Sequence, residues 1–348
     1  MKRLICLLII IFLAFSLIPT YAVDNTINYY ESFEADHNNA SLYDWTGKED
    51  LLYTLEFGTD TIWPNDLKMP PTFKKADRDK ILEYGKDPGL GIKKLQALGY
   101  TGKGVNVAIV DQPLLLDHTE YKDRDIHYYK INPGSMSTDT SSHGPGMTSI
   151  LVGKNTGVVP QSTLYYFANP TWLGDQKNEA DAFNKIIELN NTLPVNNKIK
   201  VVSLSHAADK SLKNHELLQQ AIDKARKSGI IVIDVLTLTS VPVTILPFKD
   251  KDAPENYQVS KNFDTDYIKN NPDCLFVPTG GKTIANGGNP EHYFYQTNSG
   301  NIIWIRIYLL ANCLLYWKKL VLHLKAVPQQ VWKRLRKYHI IISCCKFR

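Results

Sequence analysis

The sequence predicts a doubly wound α/β domain, a mainly parallel sheet with helices on both faces. Three observations predict it. Residues 104–111, 198–205 and 230–235 are short, nearly continuous apolar runs, as expected of strands buried on both faces. Helical patterns at 180–190 and 216–228 separate them, giving a β-α-β-α-β rhythm with right-handed crossovers. The chain has 348 residues, 43% hydrophobic and 22% charged, which supplies a sizeable core and excludes collagen-like, coiled-coil and wholly disordered classes.

Taken in order, the elements begin with a targeting segment. Lys2 and Arg3 precede the apolar run Leu4 to Leu17, and Thr20-Tyr21-Ala22 supplies small residues before a cut. Residues 1–22 are thus expected to be a secretory signal peptide, the run being short for a membrane span, and the protein is expected to be secreted. Secretion permits disulfides, but only Cys274, Cys313, Cys344 and Cys345 follow the cut, and no C-x-x-C spacing suggests a metal. Residues 23–74 are polar, Asn- and Tyr-rich and weakly patterned, so they read as an exposed N-terminal segment whose Trp and Pro residues cover a surface. From Lys75 the texture changes. Residues 76–84 read as a short helix stopped by Pro88-Gly89-Leu90-Gly91, and 92–98 as a second one ending at Gly99. The strand Gly104–Asp111 ends in a carboxylate, at the edge where doubly wound sheets collect their active groups.

Asp111 and His143 are the two candidate catalytic residues. A buried carboxylate fixes the tautomer of an imidazole and stabilises its protonated form, so that the other ring nitrogen acts as a general base. Glycines flank His143 in Ser142-His143-Gly144-Pro145-Gly146, letting backbone pass close to a substrate and a helix start at once. Each residue alone has a plainer reading, the Asp as a turn or cap residue and the His as a structural one. His118, His206 and His215 read as surface or loop histidines, and their spacing supports no metal site.

Together the two segments resemble the Asp and His motifs of the subtilisin-like serine peptidases. Gly102-Lys103-Gly104-Val105 leads through Ala108 to Asp111, and His143-Gly144 follows 32 positions later. Asp111-Gln112-Pro113-Leu114-Leu115 and Ser142-His143-Gly144-Pro145 are most similar to a clostridial and bacillar secreted branch. The resemblance runs from about Lys75 to Asn298. It implies a subtilisin-like sheet, peptide or protein substrates, and an endopeptidase relay in the order Asp, His, Ser. It also admits a structural calcium ion, for which the sequence identifies no site; no other cofactor is implied. The resemblance breaks at the serine. Gly300, Trp304 and Tyr308 keep the motif's register, but Ile303 stands at the nucleophile's position and Ile307 at that of the proline. Ser299 is the nearest hydroxyl, four residues early. For the oxyanion donor the family often has an Asn after the 230–235 strand. Here the chain continues Leu236-Thr237-Leu238-Thr239, leaving Thr237 or Thr239 as hydroxyl candidates.

The net charge of +5 has the same break point. The last acidic residue is Glu291, and the following 57 residues hold ten Lys/Arg and no Asp/Glu, so residues 1–291 carry 30 basic and 35 acidic groups. Such a tail suits a nucleic-acid or membrane partner, or an ending foreign to the fold. Membrane association through Ile302–Trp317 or a basic helix at Lys318–Lys337 is one reading. A reading-frame change near 301–307 explains the charge, the clustered cysteines and the lost motif together, and is preferred; no nucleic-acid partner is expected. The expected layout is therefore signal peptide 1–22, N-terminal segment 23–74, peptidase domain 75–317 degenerate after about 300, and basic tail 318–348. The functional expectation is a secreted serine endopeptidase by descent, inactive as written. A peptide-binding or membrane-associated pseudoprotease is the rival.

Overall fold

In the computed structural model, residues 29–30, 40–234, 240–260, 265–270 and 275–297 are described. The expected signal peptide, Thr237, Thr239, Ser299, Ile303 and the basic tail lie outside the described residues. In chain order the elements used below are β1 (Phe57–Gly58), α1 (Lys75–Lys86), α2 (Ile92–Ala97), β2 (Asn106–Asp111), β3 (Ile126–Lys130), α3 (His143–Val152), β4 (Thr163–Ala168) and α4 (Lys177–Thr192). They continue with β5 (Ile199–Leu204), α5 (His215–Lys227), β6 (Ile231–Ile233), β7 (Ser240–Ile245), β8 (Tyr257–Ser260), β9 (Leu275–Pro278), β10 (Lys282–Ala285) and β11 (Tyr293–Gln296).

A five-stranded parallel sheet in the order β3-β4-β2-β5-β6 forms the centre. Alternation along β2 explains why both faces are apolar. Val107 and Ile109 pack with Met147, Ile150 and Leu151 of α3 on one side. Ala108 and Val110 pack with Ala180, Phe183 and Ile186 of α4 and Leu218, Ala221, Ile222 and Ala225 of α5 on the other. Helices thus cover both faces, as the continuous apolar runs predict. The sequence reading misses two strands of this sheet. β4 lies next to β2 at the centre of the sheet, and its Tyr165-Tyr166-Phe167 core is buried. β3 is the edge, with mixed burial that hides its pattern.

Two smaller sheets flank this one. β7 pairs with β8 antiparallel and with β9 parallel, and β10-β11-β1 is antiparallel. The second of these corrects the expectation of an exposed N-terminal segment. From Ala40 onward that segment supplies a core of its own: Ala40, Trp45, Leu52, Leu55, Phe57, Met69 and Phe73 are buried with Ile81 and Tyr295. Trp45 is fully buried, and its indole N–H donates to Ala40 O at 2.9 Å. Phe57 and Trp63 meet edge-on at 5.4 Å, and the Arg78 guanidinium lies 4.5 Å from the Trp63 ring. Within 40–73 these contacts come from turns, a four-residue helix and a two-residue strand, too short to show a hydrophobic period.

Candidate active site

Asp111 is the last residue of β2, on the carboxyl edge of the central sheet. Its carboxylate is 1% exposed. His143 opens α3 and is held against it: Nδ1 lies 2.8 Å from Asp111 Oδ1 and 2.9 Å from Oδ2. A carboxylate only accepts, so Nδ1 carries the proton and Nε2 presents its lone pair on the far side of the ring. Burial pushes the His143 pKa down, but the charge of Asp111 and its hydrogen bond outweigh that, leaving it above its usual value.

Three further groups fix the carboxylate and its strand end. The Gln112 backbone N–H donates to Asp111 Oδ1 at 2.6 Å, and the Ser205 hydroxyl donates to Oδ2 at 2.5 Å. Asn169 donates to the Asp111 carbonyl twice, from its backbone N–H at 2.9 Å and from Nδ2 at 3.2 Å. The sequence reading overlooks Ser205 and Asn169. Each follows the carboxyl end of a strand neighbouring β2, and the strand-end rule finds them once the sheet order is known.

The start of α3 is built around Gly144. A Cβ there would sit 2.5 Å from the Tyr166 hydroxyl, 2.7 Å from Gln112 O and 2.8 Å from Pro113 O. The glycine lets the helix lie directly on the loop that follows Asp111, and this closeness brings the imidazole within reach of the carboxylate. Ser141 ties the two together: its hydroxyl donates to Pro113 O at 2.9 Å and accepts from the Gly144 N–H at 3.0 Å. Farther along the helix, Ser149 Oγ accepts from the Ala285 N–H at 3.0 Å, joining α3 to β10.

The other histidines stay away from this pair. His118 is not a surface residue: it is fully buried, with Nδ1 accepting from the Glu120 N–H at 3.1 Å and Nε2 2.9 Å from His292 O. Its neighbour Glu120 is also fully buried, and its carboxylate accepts from the backbone N–H groups of Asn155 and Thr156 and from the Tyr293 hydroxyl. Both act in loop architecture. His206, the residue after Ser205, is partly exposed and pairs with Glu179 of α4 at 3.1 Å. His215 begins α5. Among the described residues no three His, Cys, Asp or Glu side chains converge on a metal position, and no helix is long and apolar enough to cross a membrane.

Residues 102–234, which carry both Asp111 and His143, match the family model of the subtilase family, peptidase S8. Over 178 residues the chain is 25% identical to subtilisin E of Bacillus subtilis (strain 168), a match covering 48% of this chain and 44% of that protein. The match thus spans less than half the length of this curated relative. Among solved structures, the patellamide maturation protease PatG is similar over 65% of this chain and 80% of its own, at 12% identity and a TM-score of 0.44. A cold-adapted subtilisin-like serine proteinase is similar over 63% and 77%, at 14% identity and a TM-score of 0.42. Residues 102–234 are thus similar to the subtilase family, and they contain the central strands β2 to β6 of the parallel sheet.

Proposed function

We propose that this chain derives from secreted subtilisin-like serine endopeptidases and is inactive as written. Asp111 is the orienting carboxylate and His143 the general base of an Asp-His-Ser relay. The observation that carries the reading is the Asp111–His143 pair, with both carboxylate oxygens engaged and Nε2 directed away from them. In such a relay Nε2 removes the proton of a hydroxyl as it attacks a peptide carbonyl, and returns it to the departing amine. An acyl-enzyme forms, and water hydrolyses it by the same proton path in reverse. Asp111 stays ionised throughout and stabilises the imidazolium that forms at each attack.

The missing partner is the nucleophile. Isoleucine at position 303 has no proton to give and no lone pair to attack with. Without that group only residual rate enhancement survives in an otherwise assembled site. The apolar run before Ala22 supports secretion, and the family match supports peptide or protein substrates.

A fluorophosphonate that labels activated serines tests this directly on the full chain. No labelling is expected. Labelling abolished by Ser299→Ala would identify Ser299 as a working nucleophile and overturn the inactivity. If the unlabelled chain unfolds cooperatively and binds unmodified peptides, it is a peptide-binding pseudoprotease; without cooperative unfolding it is a degraded gene product. The coding nucleotide sequence checks the frame separately: an alternative frame should restore Ser-Trp-x-x-Pro after about residue 300.

A further inference from the structure

Outside the Asp111–His143 pair and its hydrogen-bond partners, a lysine side chain sits where a small cation would fit. Lys251 is 4% exposed. Its ammonium donates to three backbone carbonyls, Tyr84 O and Asp87 O at 2.8 Å each and Gly281 O at 2.9 Å, and lies 4.3 Å from the centre of the Tyr84 ring. The three oxygens come from the last turn of α1, the bend after it, and the turn between β9 and β10. Among the described residues no carboxylate lies within ion-pair distance of the ammonium. Three carbonyl acceptors match the three N–H donors of a protonated lysine, a geometry that works against the burial and the neighbouring Lys282, which push the Lys251 pKa well down.

The surroundings hold the side chain from its own backbone outward. Lys251 O accepts from the Leu90 N–H at 2.9 Å and from the Tyr257 hydroxyl at 3.0 Å. A Cβ on Gly89 would come within 2.9 Å of Lys251 Cβ and 2.6 Å of the Tyr257 hydroxyl, so the bend that brings Asp87 O to the ammonium leaves no room for a side chain there. The result is a set of neutral oxygens converging on the Lys251 ammonium, with a second buried amine, Lys282, held nearby on Pro88 O. Rings of backbone carbonyls of this kind replace the hydration shell of a desolvated monovalent cation. Calcium sites, in contrast, draw on carboxylates as well.

We propose that Lys251 is a tethered substitute for a structural monovalent cation, and that the carbonyls of Tyr84, Asp87 and Gly281 take up free potassium or ammonium once the side chain is removed. An ordinary helix-capping lysine would contact carbonyls of one helix end. This one gathers two segments about 200 positions apart in sequence and ties α1 to the β9–β10 turn. Because β10 hydrogen-bonds to α3 through Ala285 and Ser149, the cation also braces the helix that begins at His143.

The test compares thermal melts of the full chain, Lys251→Ala and Lys251→Met in tetramethylammonium, potassium, ammonium and calcium chlorides at equal ionic strength. Wild-type melting should be alike in tetramethylammonium and potassium, since the site is filled. Lys251→Ala should melt about 5–10 °C lower in tetramethylammonium, because three buried carbonyls lose their donor. Potassium or ammonium should restore at least half of that loss, and calcium should do no better. Lys251→Met, which fills the pocket with an apolar chain, should show no such rescue. A Lys251→Ala deficit that is the same in all salts overturns the proposal, as does rescue by calcium alone. Failure of that variant to fold in any salt overturns it equally.

Discussion

The Ser205 hydroxyl donates to Asp111 Oδ2 at 2.5 Å, from just beyond the strand next to the one that ends in Asp111. The oxygen that His143 shares is thereby also anchored to the sheet. The imidazole thus meets a carboxylate whose orientation is set by β2 and β5, rather than by the helix that carries the imidazole. Charge-assisted bonds of this kind are short and directional, and they fix the geometry of the pair.

The charge of Asp111 should be visible in the titration of His143. Asp111→Asn keeps the shape of the side chain but removes the charge that outweighs burial. The His143 pKa is then expected to drop from above 6.5 to below it, followed by NMR of the imidazole Cε1–H. The sign for stability follows. A raised folded-state pKa contributes stability that is fully present below the unfolded value of about 6.5 and is lost as pH rises through the folded value. In Asp111→Asn this reverses, and stability should fall on acidification through the same range. An unchanged His143 titration would refute the coupling.

Gly144→Ala tests whether close approach positions the base. The new methyl would overlap the Tyr166 hydroxyl and two carbonyl oxygens, all within 2.8 Å. Two of these are backbone atoms, so the helix start must shift. A loss of about 1–3 kcal/mol in urea denaturation is expected, in line with overpacking of a buried site. The shift should also pull His143 from Asp111 and lower its pKa, an effect that a purely global loss of stability would not produce. Retention of both wild-type stability and wild-type titration would show that the site does not depend on this contact.

A buried amine next to the Lys251 site makes stability depend on pH. Lys282 is 6% exposed, and its ammonium donates to Pro88 O. Burial pushes its pKa down to about 7, with Asp87 opposing. The unfolded chain holds that proton up to about pH 10.4. The unfolded state therefore binds more protons between these values, and stability should rise with pH. The penalty is complete below about pH 7 and eases above it. Urea midpoints measured from pH 7 to 9 should climb in the wild type and climb less in Lys282→Met. Equal slopes in the two proteins would rule out Lys282 as the source.

Much of the central sheet was legible in the chain because strands buried on both faces must be apolar throughout. Runs 104–111, 198–205 and 230–235 appear as β2, β5 and β6 with shortened ends. The helices at 180–190 and 216–228 extend or shift by a few residues to 177–192 and 215–227, as the ends carry no apolar period. β4 escaped notice although it is central, because Thr163-Leu164-Tyr165-Tyr166-Phe167-Ala168 is a brief aromatic run rather than an aliphatic one, even though Pro160 and Asn169-Pro170 bound it. The core around Trp45 was illegible for a different reason: its N-terminal part consists of turns and elements of two to four residues, in which burial follows no period.

For the site, the sequence by itself determined the residue types present: a carboxylate at a strand end, a histidine beside glycines, and an isoleucine at position 303. Those identities are local, and residue chemistry sets them. Only the tertiary structure decided that Asp111 and His143, 32 positions apart, lie 2.8 Å from each other, and that Ser205 and Asn169 join them. It also decided that His118 is buried and that Lys251 meets carbonyls from two distant segments. The physical reason is the same in each case. Contacts between segments depend on strand order and on how closely a backbone without side chains, as at Gly144, can approach its neighbour, and no short stretch of sequence carries either.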